Sequence, residues 1–271
     1  MSADAAPGTA AVPAAPHRSL VQRAPDLLVW GLVFVLLMVA IKPVEMGHVS
    51  KLFTNSQNMR EFGSDLMHPN FDQLRLYIAQ MWLTIQIAMW GTALAVVIAV
   101  PFGLACARNV SPPWLQKPLR LLMNLLRSIP DLVVGTLFIV AVGLGPFAGV
   151  MALAINTGGV LAKLFSEAVE SIDKGPVEGV RATGANRLQE VVWGIIPQVA
   201  PLWTSYALYR FESNSRSATV LGLIGAGGIG QVLFDSLNGF DYRAVSAIAI
   251  VIVVAVTLID QLSQVMRSRL L

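Results

Sequence analysis

Long apolar runs bounded by clusters of charge recur along this chain. Leu27 to Ile41 is the first, preceded by Arg18 and Arg23 and closed by Lys42 and Pro43. It imitates a secretory signal but has no small-x-small cleavage site behind it, so an uncleaved membrane helix is expected over residues 26–42. Leu76 to Ala107 holds no charge over 32 residues, longer than a bilayer requires. One long or tilted helix fits, kinked at Pro101. Leu132 to Ala162 is also uncharged but is interrupted by Gly143-Leu144-Gly145-Pro146. A third helix is therefore expected from near Leu119 and a fourth ending near Phe165, the two forming a tight hairpin. Gln198 to Leu221 and Ala244 to Gln264 supply a fifth and a sixth. The expected fold is an all-α, polytopic transmembrane bundle of about six membrane helices.

The segments between these runs set the organisation. Residues 1–25 are largely Ala- and Pro-rich, without an apolar period, and are expected to be disordered. Residues 43–77 read as an extramembrane loop or short surface helix, residues 78–265 as the membrane core with a polar loop over 171–197, and residues 266–271 as a tail. Lys and Arg fall unevenly among them. With both ends on one side, residues 1–25, 108–120, 163–190 and 266–271 carry eleven, against five in residues 42–77 and 222–243. The positive-inside rule then assigns both termini and the polar loop to the cytoplasm, and residues 43–77 to the outside.

Composition agrees with a membrane protein: 55% of residues are hydrophobic and the mean hydropathy is +0.65. A net charge of +3 is too small an excess to suggest nucleic acid. Cys106 is the single cysteine, which excludes an internal disulfide, and three scattered histidines give no metal-ligand spacing.

The polar loop from Ser171 to Pro201 concentrates charge in a chain that is only 13% charged, with Glu178, Arg181, Arg187 and Glu190 close together. Such charge has to face water or a partner protein. Pro176 followed by Glu178 suits a helix start, Gly184 interrupts the helix, and Pro197 and Pro201 restart an apolar segment, so two short helices at an angle are expected. Glu178, Gly184 six residues on and Pro197 thirteen further resemble the "EAA" loop of ABC-transporter permease subunits. Gly179 and Val180 replace that motif's two alanines, and Gly194 stands where it has isoleucine. The wider wording, GPVEGVRATGAN, IIPQVAP, YRFESNSRSATVLGLIGAGGIG and VAVGLGPFAGV, is similar to the permease subunit of phosphonate-type ABC importers, from about Met81 onward.

This resemblance implies a type I ABC importer permease fold in a bacterial inner membrane. It assigns ATPase coupling to Glu178, Gly179, Arg181, Ala182, Gly184 and Pro197. The implied partners are a second copy of the chain, two cytoplasmic ATPase subunits that hold ATP and Mg, an extracytoplasmic substrate-binding protein and membrane lipid. The implied cargo is phosphonate or a related small phosphorus oxyanion, phosphite or phosphate. This chain itself is expected to carry no cofactor, no metal and no catalytic site.

Three basic residues, Arg127, Arg210 and Arg216, fall inside expected helices, where charge normally faces a bundle interior or a wet cavity. Arg127 with Asp131, and Glu212 with Arg216, have the i,i+4 spacing of ion pairs. Such pairs either neutralise each other or line a path. Arg210 has Tyr206 and Asn214 at i±4 and Ser213 and Ser217 on nearly the same face, with no carboxylate beside it. An unpaired guanidinium suits the passage of an oxyanion, unless an acid from another helix silences it. A mid-helix Pro130, after Ser128 and Ile129, is either a bend lining the path or a packing kink.

Gly225, Gly227 and Gly230 spell the dinucleotide fingerprint, but no soluble strand-turn-helix surrounds them and Asp241 lies only 11 residues past Gly230. With Gly228 they are read as a tight turn or close packing at the external mouth. Gly145 and Gly149 form a GxxxG that favours close helix approach. No Walker A lysine, nucleophile elbow or His/Cys cluster is present. An anchor or sensor without transport is the runner-up reading, and an intramembrane enzyme using Asp131, Glu212 or Asp260 a third.

Overall fold

The apolar runs fold as helices because a backbone without water must bond to itself, and among the described residues there is no strand. The structure is a computed structural model that describes residues 20–48 and 56–269. It divides into two units, residues 1–61 and 62–271. In the first, helix α1 spans Leu20–Ala40, followed by a 3-10 turn at Met46–His48. The disorder expected over residues 1–25 does not hold for Leu20 to Pro25, which are helical; residues 1–19 lie outside the described residues. A further helix, α2, covers Ser56–Leu66 within the expected extramembrane segment.

The second unit contains α3 (Leu74–Cys106), α4 (Pro113–Ser128), α5 (Asp131–Val142), α6 (Pro146–Glu170) and α7 (Lys174–Ala182). A short α8 (Arg187–Gln189) runs through a π turn (Glu190–Ile195) into α9 (Ile196–Gly222), and α10 (Ile229–Asn238) and α11 (Tyr242–Arg267) complete it. Helices α3, α6 and α11 are long and apolar enough to cross a membrane, and α4 with α5 makes a fourth span if the bent pair is counted as one. α9 is as long, but carries Arg210, Glu212 and Arg216.

The centre of the unit is the pair α3 and α6. A Cβ added at Gly91 would lie 2.7 Å from Leu153 Cβ, and one at Gly103 would lie 2.7 Å from Phe165 Cβ, so both crossings depend on glycine. Around the second crossing, Ala95, Ala99, Leu161, Ala162 and Trp203 are buried. Trp203 of α9 stacks on Phe165 at 4.5 Å and donates its indole N–H to the Phe165 carbonyl at 3.3 Å.

Two expected helices are corrected. The third is no continuous span from Leu119: it starts at Pro113 and breaks at Ile129–Pro130, where α4 and α5 meet at 89°. Pro130 is thus neither a mid-helix kink nor a gentle bend. Its ring disfavours helical geometry at the preceding residue and removes a donor. Ile129 and Pro130 are both extended, at ψ 124° and 143°. The fifth helix starts at Arg187 instead of restarting at Pro197, so the expected second short helix is the root of a long one. Ile196 N bonds to Val191 O, five residues back, and this wider register leaves room for the Pro197 ring.

Candidate functional site

The charged loop folds as a small buttressed helix at one end of the second unit. Asp173 caps α7 by accepting the Gly175 N–H at 2.9 Å, so the helix begins two residues before Pro176, which falls in its first turn. Gly184, at φ +83°, turns the chain out of α7. Asn186 and Gln189 then exchange side-chain-to-backbone bonds of 2.9 Å, a capping box that starts α8.

Three contacts tie α7 to the root of α9. Arg181 donates through Nε and Nη2 to both carboxylate oxygens of Glu190, at 2.8 and 2.9 Å. This bidentate bond holds the Glu190 carboxyl below the usual carboxylate range. Gln198 accepts from Asp173 N and donates to Asp173 O, each at 3.2 Å, and also donates to Gly194 O at 2.7 Å. Gly194 lies against Val177: a Cβ there would be 3.1 Å from Val177 Cα. Of the three departures from the EAA pattern, Gly194 is therefore the one that allows α7 to pack so closely on the π turn.

The outer surface of α7 is left open. None of its residues is buried, Glu178 is exposed and forms no ion pair with a described residue, and nothing lies within 4 Å of a Cβ built on Gly179. Ala182 is exposed beside them. A cleft of about 460 Å³ separates α7 from the α3–α4 connection and is lined by Arg108, Lys174, Glu178, Arg181 and Glu190 among others. At its edge Glu170 accepts from Arg120 at 2.6 Å and from Arg108 N at 2.8 Å.

A second polar cluster lies near the middle of α3, α6 and α9. Asn214 is fully buried, donates to Thr92 Oγ1 at 2.8 Å and accepts from Thr157 Oγ1 at 2.9 Å. Arg210 donates to the same Thr157 oxygen through Nη2 at 3.3 Å. Its Nε is buried without a hydrogen-bond partner among the described residues. Asp131, the first residue of α5, forms no ion pair with Arg210. Next to Thr157, Asn156 donates through Nδ2 to the Ile129 carbonyl at 2.8 Å, satisfying the backbone at the α4–α5 break.

The other expected intramembrane residues divide. Glu212, 7% exposed, binds Arg216 at 3.0 Å, as its spacing implied, and also Arg267 of α11 at 3.4 Å. Arg127 forms no pair with Asp131, because the break at Pro130 removes the helical turn on which an i,i+4 pair depends; its side chain is exposed. Ser128 is exposed and bonds back to Leu125 O at 2.7 Å. Tyr206 packs against the Phe165 and Trp203 core. Ser213 and Ser217 are half-buried, with no side-chain hydrogen bond to Arg210 among the described residues.

The glycine loop joins α9 to α10. Gly225, Gly227 and Gly228 all have positive φ, which fits a tight turn. Gly225 O accepts from Gly145 N at 3.0 Å, Thr84 Oγ1 accepts from Ile229 N at 2.9 Å, and a Cβ on Gly230 would meet the Thr219 carbonyl. Close helix packing and a tight turn are thus both present.

Thr92, Asn156, Thr157, Gln198 and Arg267 were not singled out from the sequence. Asn156 and Thr157 carried a signal, adjacent polar residues inside an uncharged run. Thr92 and Gln198 did not, since their partners lie 122 and 25 residues away.

Long apolar helices, a buried polar cluster among α3, α6 and α9 and an open helix at one end fit a membrane transport component. The chain belongs to the family of binding-protein-dependent transport system inner membrane components, whose model matches residues 99–271. It is 38% identical over 239 residues to the phosphite transport system permease protein PtxC of Stutzerimonas stutzeri, covering 88% of this chain and 87% of that one. It is 58% identical over 118 residues to the putative cryptic phosphonate transport system permease protein PhnE2 of Escherichia coli K12, covering 44% of this chain and 97% of that one. Among solved structures, a chain of the inward-facing MetNI methionine ABC transporter superposes with a TM-score of 0.66 at 21% identity, over 74% of this chain and 99% of that chain. That likeness shows a shared fold.

Proposed function

We propose that this chain is the permease subunit of an ATP-driven importer for phosphonate or a related small phosphorus oxyanion, phosphite or phosphate. The names of its relatives support the substrate class, and an arginine within the helical bundle that forms no ion pair with a described residue suits such a cargo. Two copies form the pathway, two ATPase subunits bind on the cytoplasmic side with ATP and Mg, and a substrate-binding protein delivers the anion from outside. Both termini lie in the cytoplasm in this reading, in keeping with the distribution of Lys and Arg. The chain is not itself an enzyme; hydrolysis belongs to the ATPase.

The observation that carries the proposal is mechanical. Helix α7 exposes Glu178 while Arg181–Glu190 and Gln198–Asp173 fix it to the root of α9, and α9 carries Arg210. Force applied to α7 passes without a flexible joint to the helix that meets the anion. ATP acts as a ligand with different affinity for the inward-open and outward-open states. The test is ATP-dependent uptake of labelled phosphonate, phosphite and phosphate into vesicles carrying the assembled complex. Selective uptake of one supports the reading and names the cargo; no uptake of any by an assembled complex overturns it.

A further inference from the structure

Helix α9 is held differently on its two sides. Toward α3 and α6 it is tied by neutral groups: the fully buried Asn214 meets Thr92 at 2.8 Å and Thr157 at 2.9 Å, and Trp203 stacks on Phe165. Opening that side strands a buried amide and breaks close packing. Toward α11, the single hydrogen bond among the described residues is ionic and long, from Arg267 Nη2 to Glu212 Oε2 at 3.4 Å. Arg267 is the last residue of α11, and its guanidinium also lies 5.8 Å over the ring of Tyr209, three residues before Glu212 on α9.

Both ends of that ionic bond stay compensated when it opens. Glu212 is buried, and a buried carboxylate that loses its only partner is strongly destabilising. Its other oxygen accepts from Arg216 at 3.0 Å, one turn on along the same helix, so this second partner travels with it. Arg267 stands at the carboxyl end of α11, where the helix dipole favours a cation, and its long side chain can turn out of the bundle. The Arg181–Glu190 pair differs in kind, with two bonds of 2.8 and 2.9 Å from one guanidinium to one carboxylate. That pair is a brace. The bond from Arg267 to Glu212 is a catch, closed by one long contact and opened without leaving a bare charge.

We propose that Arg267 is a latch residue: it holds α9 against α11 through Glu212 in the state seen here, and it lets go when α9 is driven, leaving Glu212 wholly to Arg216. This rests on the importer reading and adds the helix interface that gives way. The load on α7 reaches α9 through the brace, and α9 moves with α3 and α6 while the α11 side opens. Each closed latch biases the two-state equilibrium toward the resting arrangement. It thereby restrains ATP hydrolysis when no cargo is present, since the ATPase subunits close only as α9 moves.

The test uses the full chain assembled with its ATPase subunits in proteoliposomes, with ATP hydrolysis per assembled complex read first without binding protein or anion. Arg267→Gln is expected to raise this idle hydrolysis about three- to tenfold, the shift that loss of one partly exposed ion pair brings to a two-state equilibrium. It should also lower the phosphite, phosphonate or phosphate imported per ATP once the binding protein is added. Glu212→Gln, which keeps the size of the side chain, should act in the same direction. The double variant should hydrolyse no faster than the faster single one, because both changes remove the same bond. A pair that only holds the fold would lower assembly and the thermal midpoint and leave hydrolysis per assembled complex unchanged. Idle hydrolysis by Arg267→Gln equal to that of the wild type overturns the latch, as do additive effects in the double variant. If Arg267→Gln does not assemble, Glu212→Gln decides by the same criterion, and failure of both to assemble overturns the latch in favour of a structural pair. A wild-type complex that imports none of the three anions removes the importer reading for that cargo, a result read from uptake and distinct from an idle hydrolysis that the variants leave unchanged.

Discussion

Arg181 and Glu190 face each other across the turn at Gly184 and share two hydrogen bonds, 2.8 and 2.9 Å long, which join α7 to the π turn at the root of α9. Glu190 is held below the usual carboxylate range by this partner. A carboxylate depressed in the folded state contributes stability above its unfolded pKa, and that contribution is lost as pH falls through the folded one. Hydrogen-exchange protection of α7 should therefore hold from neutral pH down to the ordinary glutamate value of about 4.3 and fall only below it. Glu190→Gln should lower protection throughout. Equal protection in wild type and variant at neutral pH would show that the pair does not hold α7.

Glu178 is exposed and forms no ion pair with a described residue, on a helix with no buried residue. Reversing its charge leaves the bundle intact and acts on whatever docks there. Glu178→Lys is expected to reduce ATPase co-purification by about tenfold, equivalent to about 1.4 kcal/mol, while membrane insertion is unchanged. Normal co-purification with normal uptake would remove Glu178 from the docking surface.

Two glycines where the EAA pattern has larger residues should behave oppositely. A side chain at Gly194 has Val177 Cα 3.1 Å from its Cβ, so Gly194→Ile should displace α7 at a cost of about 1–3 kcal/mol. Gly179 has open space around it, and Gly179→Ala should be neutral or stabilise α7 by up to about 1 kcal/mol. Limited proteolysis between α7 and α8 distinguishes them, faster for the first and unchanged or slower for the second. Restoring the motif at one position then damages the loop, while at the other it does not.

Asn156 donates to the carbonyl that the helix break leaves without a helical partner. Asn156→Leu should destabilise by about 1–3 kcal/mol, the cost of a buried unpaired acceptor. Asn156→Asp, which turns an oxygen toward that carbonyl, should lower the thermal midpoint further. The reverse order would mean that the Ile129 carbonyl finds another donor.

Much of this architecture follows from local pattern. The long apolar runs located α3, α6 and α11 because hydrocarbon disfavours charge whatever the surrounding fold. Asp173, Gly184 and Asn186 delimit α7 and α8 through bonds to residues two or three positions away, and the Glu212–Arg216 pair needs only one turn of helix. Pro130 was visible as an irregularity, but local pattern did not distinguish a kink from the 89° break. That depends on Ile129 and Pro130 both being extended and on Asn156, from another helix, accepting the cost of the break.

The sequence by itself determined that the chain is a helical membrane protein, where its charge gathers, and that Arg210 lacks an acid on its own helix, since each of these is a property of neighbours along the backbone. Only the tertiary structure decided that Arg127 and Asp131 do not pair, that Glu212 serves two arginines, and that Arg210, Thr157, Asn214 and Thr92 form one cluster. Hydrogen bonds and charge compensation act through space, and Thr92 and Asn214 meet across 122 residues of chain. No periodicity along one helix encodes which face of another it will meet.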